Sequence, residues 1–423
     1  MKFVLFFIKA CLISSLTQAQ SILDLKLKAV DLYHSEMYLE AEEEFKTLKS
    51  RSKYERYKLE LDFLRALCFY NLLDERNLKK SKSIFKRLIN RKNKINSEVY
   101  SNSLLFYGRA LHRLSELDSA LVYLKKYKKF SKDNFADDDI KSVLFSLKNK
   151  NNYTKFTLNR CSFNSIYDDY SLTSIDDNSF ILASNRPKSN KKNSSLNSDL
   201  YYLEFNVRIN KWSRVIPCDK YINSEGSELS PFYSANDSIC FFSRSTKVKD
   251  SISLSEHKIY FIHNKNKLWS NPALFPLPYD GSNFKNPYLT NDGNTLFFSS
   301  DMNGGYGGYD IWMIKKKSNG FWSMPINLGM SVNTIKDELY PYISDNTFYF
   351  SSNGHLGLGG FDIFKAGIDQ YFNILYVDNM GYPVNSTNDD NALIFKNDSI
   401  GYLSSNRVGS INFDIYKLQN YEN

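Results

Sequence analysis

The chain has 423 residues, 42% of them hydrophobic and 24% charged, with 55 Lys and Arg against 46 Asp and Glu, a formal net charge of +9. That length exceeds one typical domain and gives two domains enough residues to bury a core each, while the modest basic excess argues for no nucleic-acid partner. No stretch approaches 18 uninterrupted apolar residues, which excludes a helical membrane span, and the five cysteines are too sparse and too irregular for a disulfide scaffold or a zinc site.

In chain order, residues 1–20 read as an export signal. Lys2 and Lys9 flank a short apolar stretch that ends in Ser14, Ser15 and a small-residue site near Ala19. Its loss removes two lysines and no acid, so the charge falls from +9 to +7. Cys11 is a poor lipid acceptor, because Lys9 stands where an acylation motif wants an aliphatic or small residue. The mature protein is expected in the periplasm, associated with the outer membrane and peripheral to it at most. Four cysteines remain, and Cys68, among apolar helical positions, is expected as a buried thiol.

Residues 21–150 carry helical periodicity. Three hairpins superpose on their small residues, Ala29 and Ala41, Ala66 and Ser81, Gly108 and Ala120, each followed four residues on by Phe45, Phe85 or Leu124. Two helices approach closely only where a side chain is small, and the large residue then fills the groove. Twelve residues separate the small pair in the first and third units and fifteen in the second, which predicts a loop insertion around Asp74 to Asn77. The acidic run Asp137 to Asp139 opens a last helix through Val143, Leu144 and Leu147, expected to cap the array. Asn149 to Asn152 reads as a linker. The basic stretch Lys79 to Lys94 is expected as a solvated face, with anionic lipid, lipopolysaccharide or an acidic partner as the alternative. The pattern resembles the tetratricopeptide repeat, although the usual Trp and Pro are missing and the unit spacings of 37 and 42 are irregular, so a plain helical bundle is the alternative.

Residues 151–423 change character to short aromatic and β-branched runs broken by Asn, Asp, Gly and Ser. Asp310-Ile311-Trp312, Asp362-Ile363-Phe364 and Asp414-Ile415-Tyr416 recur at 52 and 52 residues. Lys258-Ile259-Tyr260 fills the slot 52 residues earlier without its acid, and Asp199-Leu200-Tyr201 stands 59 before that. Before each copy an apolar run ends in serine, at Ser184, Ser243, Ser300, Ser352 and Ser405. Trp212, Trp269 and Trp322 are expected to open a further strand, with Pro217, Pro272 and Pro325 close behind. Asn164-Ser165, Asn223-Ser224, Asn333-Thr334 and Asn385-Ser386 mark the turn into the next unit, followed by acids such as Asp168, Asp169, Asp337, Asp389 and Asp390.

A unit of about 52 residues with four strands is the size of one propeller blade, which predicts a five-bladed β-propeller, with six blades as the fallback. The last unit lacks its outer strand, and Phe156 to Cys161 is expected to supply it, Phe156 taking the place of Trp212. The fold class is therefore α + β multidomain, helical repeats followed by a propeller.

Ser230-Pro231 with Asp237, Asn286-Pro287 with Asp292-Gly293, and Tyr340-Pro341 with Asp345 resemble the WD40-like repeat of the TolB-type propeller family. Repeats ahead of such a propeller are similar to envelope proteins of Bacteroidota that continue into an OmpA-like peptidoglycan-binding domain, including a type IX secretion component acting as tether and platform. The resemblance implies an envelope scaffold with envelope proteins as partners. Peptidoglycan anchoring is not carried over, because this sequence stops after the propeller.

No catalytic pattern stands out. No G-x-S-x-G elbow is present, and His34, His112, His257, His263 and His355 form no metal-ligand spacing. The Gly-rich loops Asp301 to Asp310 and Asn353 to Asp362 lack P-loop and EF-hand contexts. Their glycines are expected to allow positive φ and their aspartates to cap the turn, with calcium at Asp301 and Asp310 as a weak alternative. No cofactor is expected. The expected function is non-enzymatic scaffolding in the cell envelope, and the competing reading is a propeller that binds or hydrolyses glycan or peptide in its central funnel with inward acids.

Overall fold

The computed structural model describes residues 19–152, 154–187, 197–247, 255–265 and 268–420. All but the last two residues of the expected export signal lie outside that set. The chain divides into two compact units, Met1–Leu144 and Phe145–Asn423, with the division inside the last helix.

The first unit holds three antiparallel hairpins: α1 (Ala19–His34) with α2 (Tyr38–Arg51), α3 (Glu55–Asn71) with α4 (Glu75–Ile89), and α5 (Ser97–Arg113) with α6 (Leu117–Ser131). Then α7 (Asp137–Asn149) follows. Ala29, Ala41, Phe45, Ala66, Ser81, Phe85, Ala120 and Leu124 are all fully buried. At Gly108 an added Cβ would lie 2.7 Å from the Leu124 side chain, so the helices touch there as the pattern predicts. Asp74 and Asn96 cap α4 and α5 by accepting the Asn77 and Val99 N–H groups.

The expected loop insertion in the second hairpin is corrected. All three turns have the same length, and each places its middle residue, Glu36, Leu73 or Ser115, in the left-handed region at φ 61°, 62° and 59°. The three additional residues are helical: Leu78 takes the place of Ala41 and Ala120, and the Ser81, Phe85, Leu88 stripe runs one turn further along α4. In α7 the buried face is Val143 and Ser146, while Leu144 is 47% exposed, so Leu144 is not part of a cap. Much of the basic stretch is paired within the unit, Lys79 to Glu75, Lys82 to Glu116, Arg87 to Asp62 and Arg91 to Glu55. Cys68 is buried, and burial pushes its thiol well above the ordinary range.

The second unit begins its sheets with β1 (Phe156–Arg160) and then builds five blades in chain order. Blade one is β2 (Asp169–Ser174), β3 (Ser179–Ser184), β4 (Asp199–Asn206), β5 (Lys211–Trp212) and β6 (Ile216–Pro217). Blade two is β7 (Ser227–Ser234), β8 (Ile239–Lys247), β9 (Ser255–Lys265), β10 (Leu268–Trp269) and β11 (Ala273–Leu274). Blade three is β12 (Phe284–Leu289), β13 (Thr295–Ser300), β14 (Asp310–Lys315) and β15 (Ile326–Asn327), and blade four is β16 (Glu338–Ser344), β17 (Thr347–Ser352), β18 (Asp362–Ile368) and β19 (Ile374–Asn379). Blade five is β20 (Asp390–Asn397), β21 (Ile400–Ser405) and β22 (Asp414–Asn420), and β1 adds to it as outer strand.

The first strands contact one another in a closed cycle, β2 to β7 to β12 to β16 to β20 and back to β2, which makes the ring five-bladed and removes the six-bladed fallback. Every blade seam has its own apolar core, for example Phe297 and Ile311 against Phe348 and Phe350, because the middle strands are buried on both faces. Removing one such ring from water stabilises the fold by about 1.5–3 kcal/mol, so the seams dominate the energetics. The outer strands are interrupted, at Pro272 and Pro325 in blades two and three, where proline removes a ladder donor, and at residues 213–215 in blade one: Trp212 and Trp269 each sit in two-residue strands, and Trp322 only bridges Lys316. Their expected opening of full strands is corrected accordingly; they serve as packing, Trp212 lying 4.7 Å from Phe163 and Trp322 5.5 Å from Phe275, centroid to centroid.

Ring closure follows the expected register. Phe156 pairs with Asn420, Leu158 with Leu418 and Arg160 with Tyr416. Phe156 occupies the register that Trp212 occupies opposite Phe205 in blade one. The fifth unit's last strand runs on to Asn420.

Candidate functional site

The ring offers two places for chemistry: the axial channel, and the carboxylates at the head of each inner strand. In all five inner strands one residue bulges into the left-handed region at the same register, Ser171, Ser230, Asn286, Tyr340 and Ala392, at φ between 51° and 56°. Each interrupts the strand pairing, and three precede a proline, which cannot continue the ladder. These residues line the axis. The space they enclose is about 40 Å³, and Tyr340 sits in it with its phenol facing Ser171, Ser230 and Asn286 on three other blades. The axis is therefore narrow where these five residues meet, with room there for water.

The carboxylates are Asp169, Glu228, Glu338 and Asp390, all fully buried at equivalent positions, with Phe284 in the fifth. Each accepts the backbone N–H of the Ser or Thr four residues earlier, Ser165, Ser224, Thr334 or Ser386. Arg186, Arg244 and Arg407 then pair with Asp169, Glu228 and Asp390, and each also donates to a backbone carbonyl at the turn, of Phe163, Ile222 and Val384. Burial pushes the Glu228 carboxyl up, offset by Ser224 and Arg244. A buried acid so engaged holds a turn.

The asparagine before each Ser or Thr locks one blade to the previous one. Asn164, Asn223, Asn333 and Asn385 bond both the N–H and the carbonyl of Ile415, Leu200, Ile311 and Ile363, at 2.7–3.0 Å. At the seam of blades two and three the whole set is exchanged together. The Tyr279 hydroxyl accepts the Ile259 N–H and donates to the Ile259 carbonyl, both at 3.2 Å, Phe284 replaces the acid, and Met302 fills the arginine position in the apolar cluster.

The repeated aspartates cap turns as expected. Asp310 accepts from Tyr306 and Gly307 N–H and from Asn327, Asp362 from Leu358 and Gly359 N–H and Asn379, and Asp414 from Ile411 N–H and Arg160. Asp199 opens β4, buried opposite Ser184. The glycine expectation is corrected. In the two Gly-rich loops only Gly304 has positive φ; Gly307, Gly308, Gly359 and Gly360 are glycine because the next blade's turn lies against them, with an added Cβ 2.0–2.4 Å from its atoms.

Asp301 and Asp310, the calcium alternative, are each engaged in the fold: Asp301 gives both oxygens to Asn283, at 2.6 and 2.8 Å, a reversed copy of the Asp168–Asn185, Asp337–Asn353 and Asp389–Asn406 pairs. Among the described residues no group of three His, Cys, Asp or Glu is placed to hold a metal ion. The paired arginines went unnoticed in the sequence, although Ser184-Asn185-Arg186 and Ser405-Asn406-Arg407 repeat the signal.

Asp362 carries a pH dependence. Burial and the nearby Asp390 charge push its carboxyl up to about 8, against its three donors. A carboxyl near 4 when unfolded and near 8 when folded binds its proton more tightly in the native state. Its stabilisation is therefore present below about pH 4 and lost as pH rises to about 8, at up to about 1.4 kcal/mol per pH unit. Urea midpoints from pH 5 to 8 are expected to fall more steeply for the wild type than for Asp362→Asn; parallel curves would refute this.

No family model matches the chain, and no curated protein matches it. Among solved structures it is similar to a mannose phosphorylase from Leishmania mexicana (11% identity, 65% of this chain and 92% of that one, TM-score 0.42). It is similar also to a GH93 α-L-arabinofuranosidase of Fusarium graminearum (10%, 64% and 99%, TM-score 0.41) and an endo-arabinase from Bacteroides thetaiotaomicron (10%, 62% and 96%, TM-score 0.41). At this level the likeness says nothing about chemistry.

Proposed function

We propose that this chain is a non-enzymatic scaffold of the bacterial cell envelope that binds other envelope proteins, in the manner its resemblance to secretion-associated propeller proteins implies. The observation that carries the reading is the state of the inner carboxylates: a hydrolase needs acids free to exchange protons with substrate, and these four are fully buried and bonded to turns, three of them to arginines. The Tyr340 phenol, set among Ser171, Ser230 and Asn286, narrows the axis and speaks against a funnel that receives glycan or peptide. Helical repeats and a ring of blades both present wide surfaces for partners. Ring loops also carry exposed apolar side chains, Tyr306, Met330, Ile335 and Leu356, the third 84% exposed.

The test is co-purification of a tagged copy from chemically cross-linked envelopes. Outer-membrane or secretion components are expected, with recovery lost when Met330 and Ile335 are changed to Asp. Recovery of no envelope protein together with turnover of a glycan or peptide by the purified chain would overturn the proposal.

A further inference from the structure

Blade four departs from the arginine pattern in one residue. Its buried acid is Glu338, bonded to Thr334 and Ser352, and among the described residues no arginine pairs with it; His355 lies near enough for its charge to act on the carboxyl. His355 Nε2 lies 2.8 Å from the Val332 carbonyl, the counterpart of the carbonyls that Arg186, Arg244 and Arg407 bond. A carbonyl only accepts, so Nε2 carries the hydrogen and Nδ1 is the site that gains a proton. The imidazole also takes the arginine's place against a ring: it lies 5.1 Å from Phe364, where the guanidiniums lie 5.5, 4.7 and 5.0 Å from Tyr201, Tyr260 and Tyr416. Three seams thus hold a permanent cation and one holds the side chain whose ordinary titration falls between pH 5 and 8.

We propose that His355 is a pH-responsive clamp: on acidification its imidazolium completes with Glu338 the pair that arginine makes permanently in blades one, two and five, and tightens the loop 353–362. The other faces of the imidazole are Phe350, Phe364 and the Val332 carbonyl, and the nearby Asp337 is occupied by Tyr309 N–H and Asn353. Burial raises the Glu338 carboxyl and the His355 charge opposes that rise, so protonation of Glu338 sets the acid limit of the clamp. The clamp needs a charged imidazole beside an ionised Glu338, so it is present at mildly acidic pH and lost where a histidine side chain is ordinarily neutral. The loop concerned presents Leu356 to solvent, so the clamp sets how firmly that surface is held. The inference does not depend on the scaffold reading.

Hydrogen exchange of amides 353–362, corrected for intrinsic rates, tests it in the full chain at pH 5.5 and 8. In the wild type, protection is expected to be about tenfold higher at pH 5.5, the scale of one charge-assisted hydrogen bond. His355→Arg is expected to protect at both pH values, and His355→Gln, which still donates to Val332 and cannot charge, at neither. Asp362 accepts the Leu358 and Gly359 N–H groups within the same segment, so the three proteins are compared on an Asp362→Asn background. Equal pH dependence in the wild type and both variants, or a His355 ring titration unmoved by Glu338→Gln, would overturn the proposal.

Discussion

Arg160→Ala is expected to unlatch the ring and cost about 3 kcal/mol of stability. Arg160 reaches from β1 across the closing seam and holds Asp414 with two bonds, Nε to Oδ2 at 2.7 Å and Nη2 to Oδ1 at 2.8 Å. The Asp414 side chain is fully buried, so truncation strands a charge whose remaining donor is the Ile411 N–H at 3.3 Å. Removing one member of a buried pair costs about 3–5 kcal/mol, and the low end applies because Arg160 is 37% exposed. Blades three and four suggest the control, since Asn327 and Asn379 make the equivalent bond to Asp310 and Asp362 at 2.7 and 2.8 Å. Arg160→Asn is therefore expected to retain part of the stability that Arg160→Ala loses, and Arg160→Ala with Asp414→Asn to recover part of it. Urea unfolding gives the free energies, and proteolysis between the helices and β2 gives the location. An alanine variant within 0.5 kcal/mol of wild type, by the about ±0.5 kcal/mol standard for surface changes, would contradict the latch.

Gly359→Ala is expected to be as damaging. A methyl there would lie 2.0 Å from the Asn388 carbonyl oxygen, with Ser386 O at 2.7 Å and Asn388 N at 2.8 Å. All three are backbone of the turn that carries Asn385, which itself holds Ile363, so neither side can yield without opening the seam. Overpacking costs about 1–3 kcal/mol where side chains adjust, and a backbone clash belongs at or above that range. Gly329→Ala is the contrast: nothing lies within 4 Å of an added Cβ there, and only its φ of 83° opposes the change. Its cost is expected to be about 1–2 kcal/mol, the penalty of a left-handed conformation. Thermal and urea midpoints of the two variants decide the matter, and the order would be reversed if positive φ governed the Gly-rich loops.

The architecture was legible because the repeat is regular: an Asp-Ile-aromatic triplet every 52 residues can be satisfied only by equal units, and the missing outer strand pointed to Phe156. Turn acids and Asn-Ser steps were legible for the same reason. Side-chain partners across a seam were less so, because their spacing varies. Arg186 and Arg407 follow the strand-ending serine by two residues and His355 by three, while Arg244 stands two residues earlier in register, yet all converge on one carbonyl type. The role of the paired glycines was misjudged because close approach by another blade leaves no local signal, whereas positive φ does. In the helical unit, Ala66 to Ser81 suggested an insertion because Leu78 hides the true equivalence of the hairpin turns.

The central claim is a closed ring whose last blade is completed by β1. Native-state hydrogen exchange tests it directly: the β1 amides bonded to β22 should open only with residues 414–420, with the same free energy in rising urea. Rapid exchange of 156–160 as an unpaired linker, while 414–420 stays protected, would contradict the claim.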